Sequence, residues 1–293
     1  MKRVVVLGAS SMLGREVVRQ LKSYEIEVIQ AGRSADMDII VSHGSGKSPI
    51  FSIQCNADVL IHCTAAFGND DLEGIRLNIA VNIGSAVDVI EIATKMSINR
   101  IVYAGSLSSD PSCEPDKAMS SYGMSKLNCE NILNWSTIRR GGSFCSLRLT
   151  QLLDTDGDCC RHQPWFGRIV AYASQGLTLR IPASNGTRNF LHISDAARIL
   201  IAAANSDFSG YIPIIHPINI DLHTLAIEAF TIFGQGGEVV VDPKKTPFRM
   251  ITFPHDTSMR DILGIKPQLS TVEVLHMIRD AGTACRFGPL DVQ

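Results

Sequence analysis

VVVLGASSMLGREVV, residues 4–18, decides how the rest of the chain is read. Val4–Leu7 run without a polar break, as in a strand covered on both faces. Gly8 follows at once, and Val17, Val18 and Leu21 then recur at helical spacing. A strand that turns on a glycine into a helix is the setting of a phosphate-binding loop. Gly8 permits the tight turn, the helix start aims free N–H groups at a phosphate, and Gly14 lets helix and sheet approach. Ser11 stands where such loops carry a middle glycine; it takes up room, yet its hydroxyl can donate to a phosphate oxygen. Gly8, Ser10, Ser11, Met12, Leu13 and Gly14 form the candidate cofactor loop. A plain strand–helix turn is the alternative.

The same rhythm continues outward. Val28–Ala31, Val59–Cys63, Ile101–Ala104 and Cys145–Leu149 read as buried strands, with Val81, Val87, Ile90 and Ala93 as the apolar stripe of an intervening helix. Buried strands alternating with helices predict an α/β fold, a Rossmann-type doubly wound parallel sheet. After Leu149 the rhythm breaks. DTDGDCCRHQPWFG, residues 154–167, reads as an irregular loop near a site. Helices are expected over Ile193–Ala204 and Leu222–Phe233, and a last one from Ser270, which has Glu273 at capping-box spacing. The division expected is a dinucleotide-binding domain over 1–150 with about 190–212, and a smaller substrate-binding cap over 151–189 and 213–293.

Composition narrows the function classes. The net charge of −2 over 293 residues leaves no electrostatic footprint for nucleic acid or an anionic membrane. No apolar run approaches the ~20 residues that span a bilayer, and Lys2-Arg3-Val4 opens a strand rather than a leader. The expectation is a cytoplasmic protein with neither nucleic acid nor membrane as partner. Cys55, Cys63, Cys113, Cys129, Cys145, Cys159, Cys160 and Cys285 show no C-x-x-C spacing and read as reduced thiols. Adjacent Cys159-Cys160 has no matching His/Cys pair, so no metal site is expected.

The second strand ends Gln30-Ala31-Gly32-Arg33-Ser34. An NAD site places an acidic residue there for the ribose 2′-OH. Arg33 offers a planar cation and Ser34 a hydroxyl, which suit a 2′-phosphate, so NADP(H) is the preferred cofactor. Asp36 and Asp38 keep NAD(H) open, and an exposed turn arginine is the bland alternative. Further on, residues 100–126 read RIVYAGSLSSDPSCEPDKAMSSYGMSK. Ser106 ends a strand, and Tyr122 and Lys126 stand four apart on one face of a helix beginning near Ser121. A lone tyrosine titrates near ~10; a neighbouring ammonium and an oxidised nicotinamide ring would bring it toward ~7. Ser106 can hydrogen-bond the substrate oxygen that exchanges the proton.

These motifs come in an ordered series: GASSMLG, Asp58-Val59-Leu60-Ile61-His62 with Ala65-Ala66, Asn82-Ile83-Gly84-Ser85, Ser106, YGMSK, Arg188-Asn189-Phe190-Leu191-His192-Ile193 with Asp195, and SMRDILGIKP. Over most of its length the chain resembles the extended short-chain dehydrogenase/reductases of the NAD-dependent epimerase/dehydratase family, in the branch that modifies nucleotide-linked sugars. The resemblance implies a Rossmann domain with a small C-terminal substrate domain, and Ser106, Tyr122 and Lys126 as catalytic residues. It implies that Ala65 and Asn82 lie at the cofactor and active centre, and that Lys126 also holds the nicotinamide ribose. Arg188 would meet the diphosphate of a sugar nucleotide, with a structural salt bridge as the alternative, and Arg249 is a second candidate. The loop 154–167 would line the same pocket, Trp165 or Phe166 giving apolar contact. Homodimers formed through helices that cover the sheet are common in such a family.

Two departures select within it. Leu107-Ser108 follows Ser106, with no carboxylate for eliminating water, and Ser108 stands where fucose-synthase-like enzymes place a cysteine. Elimination and multi-step epimerisation are disfavoured, leaving hydride transfer at one carbon. The sequence therefore predicts an NADP(H)-dependent reductase of a nucleotide-linked keto-sugar, of the NDP-4-keto-hexose type, with Ser108 at the substrate. The alternatives are an NAD-dependent nucleotide-sugar 4-epimerase and a non-catalytic NAD(P)-binding regulator of the same fold.

Overall fold

Val4, Val5, Val6 and Leu7 are wholly buried, because β1 (Arg3–Leu7) has a parallel neighbour on each side. The computed structural model describes residues 1–113, 118–183, 186–247, 251, 253 and 256–290. From β1 the chain runs through α1 (Met12–Ser23), β2 (Glu27–Gly32), β3 (Ile39–Ile40), β4 (Ile50–Phe51) and β5 (Val59–His62). Next come α2 (Leu72–Asn78), α3 (Gly84–Lys95), β6 (Arg100–Ser106), α4 (Ser121–Arg139), β7 (Ser143–Leu149) and β8 (Gln151–Leu153). Then follow α5 (Pro164–Gln175), β9 (Leu179–Pro182), β10 (Thr187–His192), α6 (Ile193–Ala204) and β11 (Gly210–Ile214). The remainder is β12 (Asn219–Asp221), α7 (Leu222–Phe233), β13 (Val239–Asp242), α8 (Ser258–Leu263) and α9 (Thr271–Asp280).

Two compact units divide these elements. The first holds Met1–Leu149, Ala196–Ile214 and His255–Lys266. Its eight strands are ordered β11-β7-β6-β5-β1-β2-β3-β4, parallel throughout except for the β3–β4 pair. Strand order reverses at β1, with β2 on one side and β5 on the other. In such a sheet ligands bind beyond the carboxyl ends of the strands at that reversal. Gly8, Arg33, the segment after His62, and Ser106 all stand at carboxyl ends, of β1, β2, β5 and β6. The second unit holds Thr150–Asp195, Ile215–Pro254 and Pro267–Gln293. It is built on the small sheets β12-β10-β8 and β13-β9, with α5, α7 and α9 packed in sequence on one another. The box at Ser270 and Glu273 is present in full at the start of α9.

Three expectations are corrected. The stretch 154–167 is not all loop: Asp158–Arg161 forms a 3-10 turn, and α5 begins at Pro164, which suits a first helical position because it has no N–H to leave unpaired. The stripe Val81, Val87, Ile90, Ala93 is out of phase. Val87 is 56% exposed, and the buried face runs Ala86, Val89, Ile92, Ala93. A π turn at Ile79–Ile83 joins α2 to α3 and shifts the face that the upstream spacing foretells. Finally, Leu72–Lys95, 24 residues, is by length and composition apolar enough to cross a membrane. The buried side of α3 packs on β5 and α4 within the first unit.

Candidate active site

The loop after β1 is built on two close approaches. Gly8 carries φ +83°, and a Cβ there would stand 2.7 Å from Thr64 Oγ1. Its N–H donates to Ala31 O at 2.9 Å, tying the loop to β2. A Cβ on Gly14 would come within 2.0 Å of the Gly8 carbonyl oxygen, so the contact that demands glycine is to the loop itself. Ser11 is the N-cap of α1, its Oγ accepting the Gly14 N–H at 3.0 Å. The hydroxyl expected to reach a phosphate is therefore first a helix cap. Ser10 is exposed and Met12 half-buried, but the Leu13 side chain is in the core, leaving only its backbone for the loop. A turn with no side chains at Gly8 and Gly14, opening a twelve-residue helix, fits a dinucleotide pyrophosphate.

Tyr122 is placed by a ladder of buried amides. Asn82 Oδ1 accepts the Ala66 N–H (2.7 Å), and its Nδ2 donates to Ala66 O (3.0 Å) and Ser125 Oγ (2.9 Å). Four residues earlier, Asn78 does the same with Gly68 N–H (2.8 Å), Gly68 O (3.0 Å) and Ser121 Oγ (2.9 Å). Both asparagines are at most 1% exposed. Their donors and acceptors bind protein, so Asn82 positions the half-buried Ala65-Ala66 segment and α4 rather than offering its amide to a ligand. Gly123 completes the approach: a Cβ there would meet Ser108 O at 2.1 Å. With α4 pressed against that carbonyl, the Ser106 hydroxyl comes near enough to the Tyr122 phenol to favour its ionised form. Ser106 Oγ also accepts the N–H of half-buried Ser108 at 3.1 Å.

The structure brings Ser106 and Tyr122 together, but Lys126 differs from expectation. Lys126 is 2% exposed, donates from Nζ to Ala104 O at 2.8 Å, and lies 4.2 Å from the Tyr103 ring centroid. Burial lowers it from its ordinary 10.5 to about 8. Burial also pushes the Tyr122 phenol up to about 12, opposed by the nearby Ser106 hydroxyl. The Lys126 ammonium is turned toward the strand carbonyl rather than toward the phenol it was expected to tune. Beside it, burial, then Lys126, then His43 hold the His62 imidazole well below its usual range, so it stays neutral.

At the end of β2, Arg33 and Ser34 are exposed. Asp38 has a structural task, its Oδ2 accepting the Gln30 N–H at 2.8 Å. In the second unit, Arg188 is 4% exposed, donates to Thr187 O at 2.8 Å, and sits 5.9 Å from the Trp165 ring. Trp165 lies on α5 with its ring 5.5 Å from Phe190, and Phe166, fully buried, packs on Phe190 and Phe287. A cavity of about 210 Å³ in this unit is lined by Trp165, Arg168, Arg180, Ile181, Leu222 and Lys245, among others. Arg249 lies outside the described residues. Sequence reasoning missed Asn78, Gly123 and Phe67, whose ring stacks on Tyr122. Of these, only an asparagine repeated at four-residue spacing was a readable signal.

Comparison with known proteins bears on this geometry. The model of the NAD dependent epimerase/dehydratase family matches residues 4–216. Among curated proteins none matches the sequence. The UDP-N-acetylglucosamine 4-epimerase from Bacillus cereus superposes with a TM-score of 0.75 at 21% identity, over 96% of this chain and 100% of that one. MoeE5 in complex with UDP-glucose and NAD gives 0.75 at 17%, over 96% and 98%. RMD from Pseudomonas aeruginosa, complexed with NADPH, gives 0.74 at 15%, over 97% and 100%. At these identities the likeness is one of fold. The family match spans most of the chain, which belongs to the NAD-dependent epimerase/dehydratase family, enzymes of the extended short-chain dehydrogenase/reductase type with an NAD(P) cofactor.

Proposed function

We propose that this family member is an NADP(H)-dependent reductase of a nucleotide-linked keto-sugar, of the NDP-4-keto-hexose type. The observation that carries the reading is the end of β2. Arg33 is exposed there, while the carboxylate of Asp38 is committed to the Gln30 N–H. A guanidinium rather than a carboxylate at this strand end suits a 2′-phosphate. A cofactor that carries reducing equivalents in and leaves oxidised suits a reductase.

When bound, NADPH supplies the hydride for the carbonyl carbon. Tyr122 gives its phenolic proton to the carbonyl oxygen, and Ser106, whose hydroxyl lies near that phenol, holds the same oxygen. Lys126 keeps two further N–H donors beyond Ala104 O, one of which would serve the nicotinamide ribose. Gly8, Gly14 and the start of α1 would take the pyrophosphate. In this reading the first unit carries the cofactor. The second takes the nucleotide end of the substrate, where the Trp165 face and the cations Arg168, Arg180 and Lys245 line one cavity. Arg188, beside Trp165, would approach the diphosphate.

A second reading, an NAD-dependent 4-epimerase, has the likeness to the Bacillus cereus protein in its favour and uses the same three residues. Turnover of keto-sugar nucleotides with NADPH against NADH, with mass spectrometry of copurifying nucleotides, separates the two. The reductase should prefer NADPH, and Arg33→Ala should remove roughly 1.5–3 kcal/mol of that preference. Tightly held NAD, with turnover needing no added cofactor, selects the epimerase instead.

A further inference from the structure

Phe67 is 47% exposed, an apolar ring in the irregular segment that follows β5, where the chemistry is polar. Its neighbours explain why it stands there. The residues on either side of it, Ala66 and Gly68, are each gripped through both backbone N–H and C=O, by Asn82 and Asn78 respectively. The same two amides donate to Ser125 and Ser121 on α4. Those serines flank Tyr122, and Ser125 Oγ in turn donates to the Tyr122 carbonyl at 2.8 Å. A Cβ on Gly68 would stand 2.2 Å from Gly74 O, so the gripped segment also lies tight against α2. The outcome is that the Phe67 and Tyr122 rings lie 4.8 Å apart between centroids and 22° from parallel.

We propose that Phe67 is a positioning residue for Tyr122: its ring, held flat on the phenol ring by the paired amides of Asn78 and Asn82, fixes the direction of the phenolic O–H and shields one face of it from water. The proposal rests on Tyr122 being the proton donor. A tyrosine ring turns broadly about its outer torsion. The Ser106 hydroxyl beside the phenol acts only on its oxygen; the stack pins the ring plane, and the plane sets where the proton points. Proton transfer needs donor and acceptor within hydrogen-bond reach, and small misplacements are expensive in rate. Among the described residues, the titratable groups near Tyr122 are Tyr103 from β6, Asp70, whose Oδ1 accepts the Ser121 N–H at 2.7 Å, and Lys126 on α4 itself, whose ammonium is turned to Ala104 O. Burial is the larger influence on the phenol, and Phe67 supplies part of that burial.

The test compares Phe67→Ala, Phe67→Leu and Phe67→Trp in the full chain, with thermal melting as the folding control. Phenolate absorbance after rapid pH jumps, less the signal of Tyr122→Phe, gives the titration of Tyr122 without any substrate. Loss of the ring admits water, so in the alanine and leucine variants the midpoint should fall by about half a unit to one unit. The tryptophan variant, which keeps a flat face, should stay with the wild type. With a keto-sugar nucleotide, kcat of the alanine and leucine variants should fall about tenfold while the KM for NADPH holds. An unmoved midpoint and normal kcat in a folded alanine variant overturn the proposal; if that variant unfolds, the leucine variant decides on the same two readings. Failure of the wild type to reduce any keto-sugar nucleotide counts against the reductase alone, because the phenolate titration stands without turnover.

Discussion

Around Tyr122, placement comes from bonds with a direction: two asparagine amides, two serine hydroxyls and a carbonyl that leaves room only for Gly123. Around Arg188 it comes from area. Trp165, Phe166, Phe190 and Phe287 meet at 5.5–6.5 Å between centroids, at angles from 42° to 87°. Directional bonds fix an atom to tenths of an ångström and tolerate little change. Ring packing gathers contact surface and lets neighbours adjust. In the function proposed above, the centre that moves a proton takes the first kind of support, and the subsite that collects binding energy takes the second.

Three substitutions can break or sharpen that contrast. Tyr122→Phe removes one hydroxyl from the directed side, and kcat should fall by about 10²–10⁴-fold while cofactor affinity, followed by NADPH fluorescence, survives. Near-normal turnover would take the proton away from Tyr122 altogether.

Lys126→Met tests the same side through stability. From pH 8 to 10.5 the unfolded chain keeps the lysine proton that the folded chain has lost, so this group makes stability rise with pH across that window. Below it the buried charge costs roughly 3 kcal/mol at ~1.36 per unit, offset in part by the Ala104 carbonyl it satisfies. The methionine variant should therefore be more stable at pH 7 by about 1–3 kcal/mol, with the gain fading between pH 8 and pH 10.5, and poorly active. Urea unfolding at pH 7 and pH 10 measures it. A variant less stable at pH 7 would mean that the ammonium stabilises the fold.

Trp165→Ala addresses the packed side. The KM for the sugar nucleotide should rise about five- to tenfold, with kcat and cofactor affinity little changed. A fall in kcat that exceeds the rise in KM would show the ring cluster acting on the chemistry, and the contrast would fail.

The first unit was legible where burial is complete. Strands covered on both faces leave continuous apolar runs such as Val4–Leu7 and Val59–Ile61. Ser106 and Tyr122 were legible because strand-end and four-residue spacings translate directly into place. What escaped left little periodic trace beyond the four-residue spacing of Asn78 and Asn82. Pro164 reads as a breaker within a polar run, yet at a first helical position it starts α5. Asn78 grips the backbone of Gly68, a group every residue has, so no partner in the sequence announces it. The direction taken by Lys126 Nζ depends on whether a carbonyl or a phenol lies nearer, which only the packed structure decides.

The π turn at Ile79–Ile83 makes chain length itself a constraint on the centre. Such a turn holds one residue more than an α-helix needs. Deleting Ile79, Ala80 or Val81 would rewind the helix and rotate everything before it by about 100° relative to everything after. Asn78 would swing off Gly68 while Asn82 stayed on Ala66, and Phe67 would lose one of its two anchors. A gain or loss of one residue on this helix thus reaches Tyr122 without altering any side chain that touches it.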